Sequence, residues 1–360
     1  MLGRVITYND PDINDLNAMP HRVVKAGEKT SKIPRAQSYN QLSLPDSLQW
    51  SLKQTKTVAF LVLKHDSLVY EWYANGYSDS SYTNPFSATK SVVGILTGIA
   101  LKEGKITSLD EPVANYLPEY CDTKRENITI KHLLTMSSGM NYYDQALNPF
   151  GPVAQLYYGR NMREFINKLQ AEKPAGSEWR YKNSDTEVLS IALRNAVGMN
   201  ISDYASEKLW KPIGAERDAK WIIDDQKEAV EKAYCCLYTN ARDLAKVGML
   251  YKHHGNANGM QILDSSYVSE ALTPVHLPNG EKEGRPQKHY GYSWWMHNVD
   301  EDFHMDGLKG QYVIVLPKDD IVIVRLGKRD WYKSSQRFKS GGPSLYPQIV
   351  RSVRAVWSEK

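Results

Sequence analysis

Residues 85–106 read PFSATKSVVGILTGIALKEGKI. From about residue 88 to 104 the apolar residues recur with a helical period, and Gly104 supplies a stop. Ser87 and Lys90 stand at the head of this segment, at i and i+3. That spacing puts both side chains on one helix face, close enough to touch. A serine hydroxyl is a weak nucleophile until a base takes its proton. A lysine amine can act as that base when burial and neighbouring cations keep it neutral. The pair is the Ser-Lys route to acyl transfer. The tetrapeptide by itself is common, so its surroundings decide what it means.

Just upstream, residues 57–63 (TVAFLVL) and 67–73 (SLVYEWY) are β-rich runs separated by Lys64-His65-Asp66, which predicts a β-hairpin. Downstream, residues 85–285 read as mainly helical. Helical segments are expected at Ile130–Met136, Met162–Ala171, 184–198, 202–210 and 240–254, several of them opened by an N-cap residue. Strands return at Tyr290–Met296. A second hairpin follows, Gly310–Leu316 with Ile321–Leu326 across Pro317-Lys318-Asp319-Asp320, and residues 344–357 form a last amphipathic helix. The simplest assembly joins both hairpins in one antiparallel sheet flanked by helices, an α+β fold with a large, mainly helical insertion lobe. Residues 1–50 read as an N-terminal arm, 51–84 and 286–360 as the sheet domain, and 85–285 as the helical domain. The site is expected in the cleft between the lobes.

Composition narrows the function. The chain has 360 residues, 41% hydrophobic and 24% charged, with a net charge of +4. That is ordinary globular material without the clustered basic surface that nucleic acid requires. The basic stretch from Lys328-Arg329 to Lys339 is interrupted by aromatic and polar residues and reads as a solvated loop. Cys121, Cys235 and Cys236 form neither a disulfide framework nor a zinc spacing, and the adjacent pair is expected as unbridged thiols. No HExxH or carboxylate–histidine cluster occurs, so no metal and no cofactor are expected. No apolar run reaches 18 residues. The abrupt opening Met1-Leu2-Gly3-Arg4 leaves two expectations. Removal of an export signal or anchor would place the protein in the periplasm or at a membrane; otherwise it is cytoplasmic. The oligomeric state is not legible.

Two further signals follow in order. Tyr181-Lys182-Asn183 sits in a turn before a helix. A phenol there can relay the serine's proton, and the asparagine amide can position a substrate carbonyl or the lysine. His304-Met305-Asp306-Gly307-Leu308-Lys309-Gly310 leads into the C-terminal hairpin. A glycine-flanked edge strand lets a substrate approach backbone N–H groups closely.

Taken together, FSATKSVVGILTGIALKEGKITSLDEPVANYLPEY, ITIKHLLTMSSGM, PAGSEWRYKNSD, NARDLAKVGML and GQYVIVLPKDDIVIV resemble the serine β-lactamase and penicillin-recognising superfamily. The likeness is to its class C, esterase and 6-aminohexanoate-dimer hydrolase-like branch. It implies a β-lactamase/D,D-peptidase-like fold, Ser87 as the acylated nucleophile, Lys90 as its base partner, Tyr181 as proton relay and Asn183 as a positioning amide. The family's Lys-Thr-Gly strand motif falls on Met305-Asp306-Gly307, with the Leu308 N–H donating to the oxyanion. Here the chain departs from the pattern. Met305 cannot bind a substrate carboxylate and Asp306 would repel one; His304 and Lys309 are the nearby substitutes. Relatives tend to carry Gly-Gly where this chain has Cys235-Cys236, which implies altered packing behind the site. The expected function is a serine hydrolase working through an acyl-enzyme on a small-molecule ester or amide. The alternatives are a β-lactamase or D-amino-acid peptidase, and a non-catalytic binding protein of the same fold.

Overall fold

The computed structural model describes residues 11–121, 123–143, 151–224, 229–282, 285–297, 301–329 and 345–358. Its strands are β1 (His21–Val24), β2 (Thr57–Lys64), β3 (Ser67–Tyr73), β4 (Ala219–Ile222), β5 (Leu237–Tyr238), β6 (Asn256–Ala257), β7 (Met260–Gln261), β8 (Trp295–Met296), β9 (Phe303–Gly307), β10 (Gln311–Leu316) and β11 (Ile321–Gly327). Its helices are α1 (Asp46–Gln54), α2 (Thr89–Lys102), α3 (Ile130–Leu134), α4 (Pro152–Tyr158), α5 (Met162–Asn167), α6 (Asn183–Val197), α7 (Ile201–Ala205), α8 (Ala241–Lys252), α9 (Ser265–Ala271) and α10 (Tyr346–Trp357).

Both expected hairpins join one antiparallel sheet of order β3-β2-β11-β10-β9-β8. β2 is apolar along nearly its whole length because both of its faces are covered. Phe60 and Val62 pack with Leu48 and Leu52 of α1 and with Ile349, Val353 and Trp357 of α10. Leu61 and Leu63 face the opposite layer, which contains α2 and α8. The fold is α+β, as expected, with α2 buried over most of its length against the sheet.

The differences concern short elements. Residues 11–50 are more than an extended arm: β1 pairs with β4, and α1 covers the sheet. The middle of the chain also contains a small sheet, β1-β4-β5, and the hairpin β6-β7. Such strands of two to four residues are too brief to show a period of two. The expected strand from Tyr290 is ladder-paired only at Trp295–Met296, while β9 falls where a glycine-flanked edge strand was expected, with β8 paired beside its first two residues. Residues 1–10 and most of the Lys328–Lys339 stretch lie outside the described residues.

One correction is chemical. Cys235 and Cys236 are joined in a disulfide and were expected as unbridged thiols. Both are buried, and Cys236 takes φ 73°, a left-handed conformation that glycine adopts at little cost. That backbone accounts physically for Gly-Gly being suited to the same place.

A buried ion pair ties α8 to the sheet. Arg242 donates from Nε and Nη2 to the two Glu71 oxygens, at 2.7 and 2.8 Å, and the Tyr39 and Tyr73 hydroxyls donate to the same carboxylate. Burial alone would raise the Glu71 pKa; the guanidinium and the phenols outweigh it and hold the group below the usual carboxylate range. Arg242→Ala leaves that carboxylate buried without its cation. Such truncations cost about 3–5 kcal/mol. Urea unfolding of the variant is expected to show a loss of that size, and a loss under about 1 kcal/mol would refute the assignment.

Candidate active site

The turn before Ser87 is built by Asn84-Pro85-Phe86. Asn84 Oδ1 accepts from the Phe86 N–H at 2.9 Å and from the Cys236 N–H at 3.2 Å, while the Asn84 N–H donates to the Ile13 carbonyl. Phe86 is held at φ 47°, a conformation that costs of order 1–3 kcal/mol in a non-glycine residue. The buried surroundings enforce it, and Ser87 emerges half-buried just before α2.

Lys90 is in the first turn of α2 and only 1% exposed. Its Nζ lies 2.9 Å from Ser87 Oγ, confirming the side-chain contact expected from the i, i+3 spacing. The same Nζ donates to Asn183 Oδ1 at 2.7 Å and to the Tyr234 carbonyl at 3.0 Å. It also stands over the Tyr181 ring, 4.8 Å from the centroid. Ser87, Lys90, Tyr181 and Asn183 therefore meet in space although the last two are remote in sequence.

Tyr181 precedes α6 and is clamped by aromatic neighbours. Its ring is edge-on to Tyr290 and tilted against Trp295, and its N–H donates to Glu281 Oε1 at 3.1 Å. Asn183 opens α6. Two residues on, Asp185 is fully buried and accepts from Ser138 Oγ at 2.8 Å, so the Ser137-Ser138-Gly139 turn fixes the start of that helix. Burial pushes the Asp185 carboxyl up to about 6, against the pull of Lys182 and Ser138. The two adjacent tryptophans separate in role: Trp294 is core, packed on Tyr251 and Phe303, while Trp295 backs Tyr181.

The strand residues divide by face. Gly307 lies against the turn that precedes Ser87, and a Cβ built on it falls 2.0 Å from the Pro85 carbonyl oxygen. Leu308 follows it, half exposed, and its N–H makes no hydrogen bond among the described residues. Alternation sends Met305 into the core on the Gly307 side and turns His304 and Asp306 the other way. His304 stacks on His297 and Tyr346 beneath α10, and burial drives its pKa well below the ordinary histidine value. Lys309 donates to the Pro11 carbonyl. The expectation that His304 or Lys309 substitutes for a carboxylate-binding lysine is thus corrected, since the one faces away from Ser87 and the other is bound to the N-terminal segment. Asp306 likewise points away from the face on which it was expected to repel a carboxylate.

Two contributors were missed by sequence reasoning. Asn-Pro is a turn signal, and Asn84 could have been found on that ground. The Tyr234 carbonyl could not, because a backbone acceptor leaves no mark on residue identity.

A family model described as Beta-lactamase matches residues 49–335. A 6-aminohexanoate-dimer hydrolase from Paenarthrobacter ureafaciens is 27% identical over 330 residues, covering 87% of this chain and 82% of its own. Among solved structures, a Bacillus anthracis protein assigned as a 6-aminohexanoate-dimer hydrolase superposes with TM-score 0.77 at 25% identity, over 94% of this chain and 92% of its own. A family VIII carboxylesterase shares the fold, with TM-score 0.65 at 16% identity over 91% and 98%.

Proposed function

The chain belongs to the Beta-lactamase family and is a serine hydrolase, and from that premise we propose that Ser87 is its acylated nucleophile and that its substrates are small carboxylic esters or linear amides. The observation that carries the assignment is the placement of Lys90 Nζ at 2.9 Å from Ser87 Oγ, between two obligate acceptors. The Asn183 amide oxygen and the Tyr234 carbonyl each take one N–H. In a neutral amine the remaining lone pair then points at the serine hydroxyl, which donates its proton to it.

The steps follow. Lys90 takes the Ser87 proton as Oγ bonds to the substrate carbonyl carbon. The Ser87 and Leu308 N–H groups receive the developing oxyanion. Tyr181, beside the resulting ammonium, passes a proton to the departing amine or alkoxide as the scissile bond breaks. Water then attacks the acyl-enzyme with proton transfer to the same pair, and Ser87 is restored. The site lies between the sheet, formed by the two ends of the chain, and the mainly helical middle.

Substrate class is argued from β9. A β-lactam or D,D-peptide acyl donor presents a carboxylate, which the family binds through a strand lysine. Here that strand carries buried Met305 and an Asp306 turned away. The printed name of the Paenarthrobacter ureafaciens relative supports the amide arm, 6-aminohexanoate dimer being the first compound to try.

The test is a fluorophosphonate probe with peptide mapping, set beside turnover of p-nitrophenyl butyrate, 6-aminohexanoate dimer and nitrocefin. An adduct on Ser87 and faster turnover of ester or linear amide than of nitrocefin are expected. An adduct elsewhere would remove the nucleophile assignment. Preferential nitrocefin hydrolysis would favour the β-lactamase or D-amino-acid peptidase reading.

A further inference from the structure

The Tyr234 carbonyl that accepts from Lys90 belongs to a buried turn, Lys232-Ala233-Tyr234-Cys235. The turn is closed by the Cys235 N–H donating to the Lys232 carbonyl at 3.3 Å. Closing it this way aims the Tyr234 carbonyl out of the turn, toward Lys90. The central amides of a buried turn need acceptors from outside. For Ala233 that acceptor is Glu187 Oε2, at 2.9 Å. Glu187 is completely buried on α6, four residues after Asn183, and so on the same helix face. One helix thus reaches Lys90 twice: directly through Asn183 Oδ1, and indirectly through Glu187 and the turn.

We propose that Glu187 is a positioning residue for the Ser87–Lys90 pair, which fixes the turn at Ala233 and thereby aims the Tyr234 carbonyl that orients the Lys90 amine. The proposal rests on Lys90 acting as the base. With both acceptors fixed, the third direction of the amine is fixed on Ser87 Oγ. With the turn loose, the amine rotates and its lone pair leaves the hydroxyl.

The charge state of Glu187 agrees with this role. Burial raises its carboxyl to about 8, against the Ala233 and Tyr234 N–H groups and the charge of Lys232, which favours the neutral form at pH 7. The charged groups around it are Lys232 on the turn and Asp224 beyond it. The Lys232 ammonium is turned onto the carbonyls of Leu156, Tyr157 and Gly159 at the end of α4. A neutral carboxyl facing the Ala233 and Tyr234 N–H groups can be replaced by an amide oxygen, but not by a thioether.

The experiment compares Glu187→Gln, Glu187→Met and Glu187→Asp with wild type. Turnover of p-nitrophenyl butyrate is measured from pH 5 to 9.5, and kcat is normalised to the fraction of sites a fluorophosphonate labels at saturation. Glu187→Gln is expected to stay within about threefold of wild type in kcat. Glu187→Met is expected to lose about 10- to 100-fold in kcat with KM nearly unchanged, the scale of a misplaced catalytic group. The acid limb of its kcat/KM profile, which reports the base, should move. Glu187→Asp withdraws the acceptor by one methylene and should show the same signature if the methionine variant does not fold. A wild-type kcat and acid limb in Glu187→Met, or in Glu187→Asp where that is the folded variant, overturns the proposal. So does an equal loss in Glu187→Gln, or a loss wholly accounted for by the unlabelled fraction. Ser87→Ala, run alongside, separates the two readings. If it is active, the nucleophile assignment fails; if it is inactive while the Glu187 variants behave as wild type, only the role of Glu187 fails.

Discussion

Ser87→Ala is expected to lower kcat about 10⁴- to 10⁶-fold and to abolish the fluorophosphonate adduct, with thermal unfolding essentially unchanged. The size follows from the chemistry. Without Oγ no acyl-enzyme forms, and what remains is a bound substrate beside an oxyanion site. The fold should be indifferent, because the hydroxyl is half-buried and, among the described residues, its side-chain hydrogen bond is with Lys90. The same logic makes the pair non-additive. Lys90→Ala should cost a comparable factor, and the double variant should fall little below either single one, since a nucleophile and its base act as a unit. Steady-state turnover of p-nitrophenyl butyrate measures all three. Wild-type-like turnover by Ser87→Ala would end the assignment, and additive losses would mean that Lys90 works independently of Ser87.

Gly307→Ala is expected to lower kcat/KM about 10²- to 10³-fold, the scale of losing one oxyanion donor. The added Cβ would stand 2.0 Å from the Pro85 carbonyl oxygen and 3.0 Å from Gln311 Cβ. Real contacts do not approach the first distance, and the obstacle is backbone in the very turn that presents Ser87. Either β9 withdraws, taking the Leu308 N–H with it, or the turn shifts and moves Ser87. Both disturb the geometry of attack, so the rate of fluorophosphonate labelling should fall along with turnover. Labelling and turnover at wild-type rates would show that β9 has no part in the reaction.

The parts of this molecule that were legible are those whose signal is long or chemical. The β2–β3 and β10–β11 hairpins declared themselves by apolar runs around polar turns, and α2, α6 and α8 by period and caps. Ser87 and Lys90 were legible because three residues on a helix dictate contact. Asn183 and Tyr181 needed the resemblance, since nothing local says that a turn 91 residues beyond Lys90 returns to it. β9 shows what a motif reading costs. It was expected as an edge strand, and the alternation of such a strand already turns His304 and Asp306 away from Met305 and Gly307. The Cys235-Cys236 bridge was misjudged from the general difficulty of linking neighbours, because the left-handed backbone at Cys236 is a tertiary property. The Tyr234 carbonyl and the Ala233 amide were beyond reach, being atoms that every sequence has.

The pairing of β2 with β11 has a consequence for biosynthesis. Thr57 lies opposite Gly327, so β2 gains that neighbour only after 270 further residues have been made. At about 5–20 residues per second, the strand waits some tens of seconds. Through that interval TVAFLVL has β3 on one edge and an open ladder on the other. A nascent chain of this architecture presents its most adhesive strand first and its proper mate nearly last. Its yield in a cell should therefore follow chaperone capacity and growth temperature more closely than its equilibrium stability would suggest.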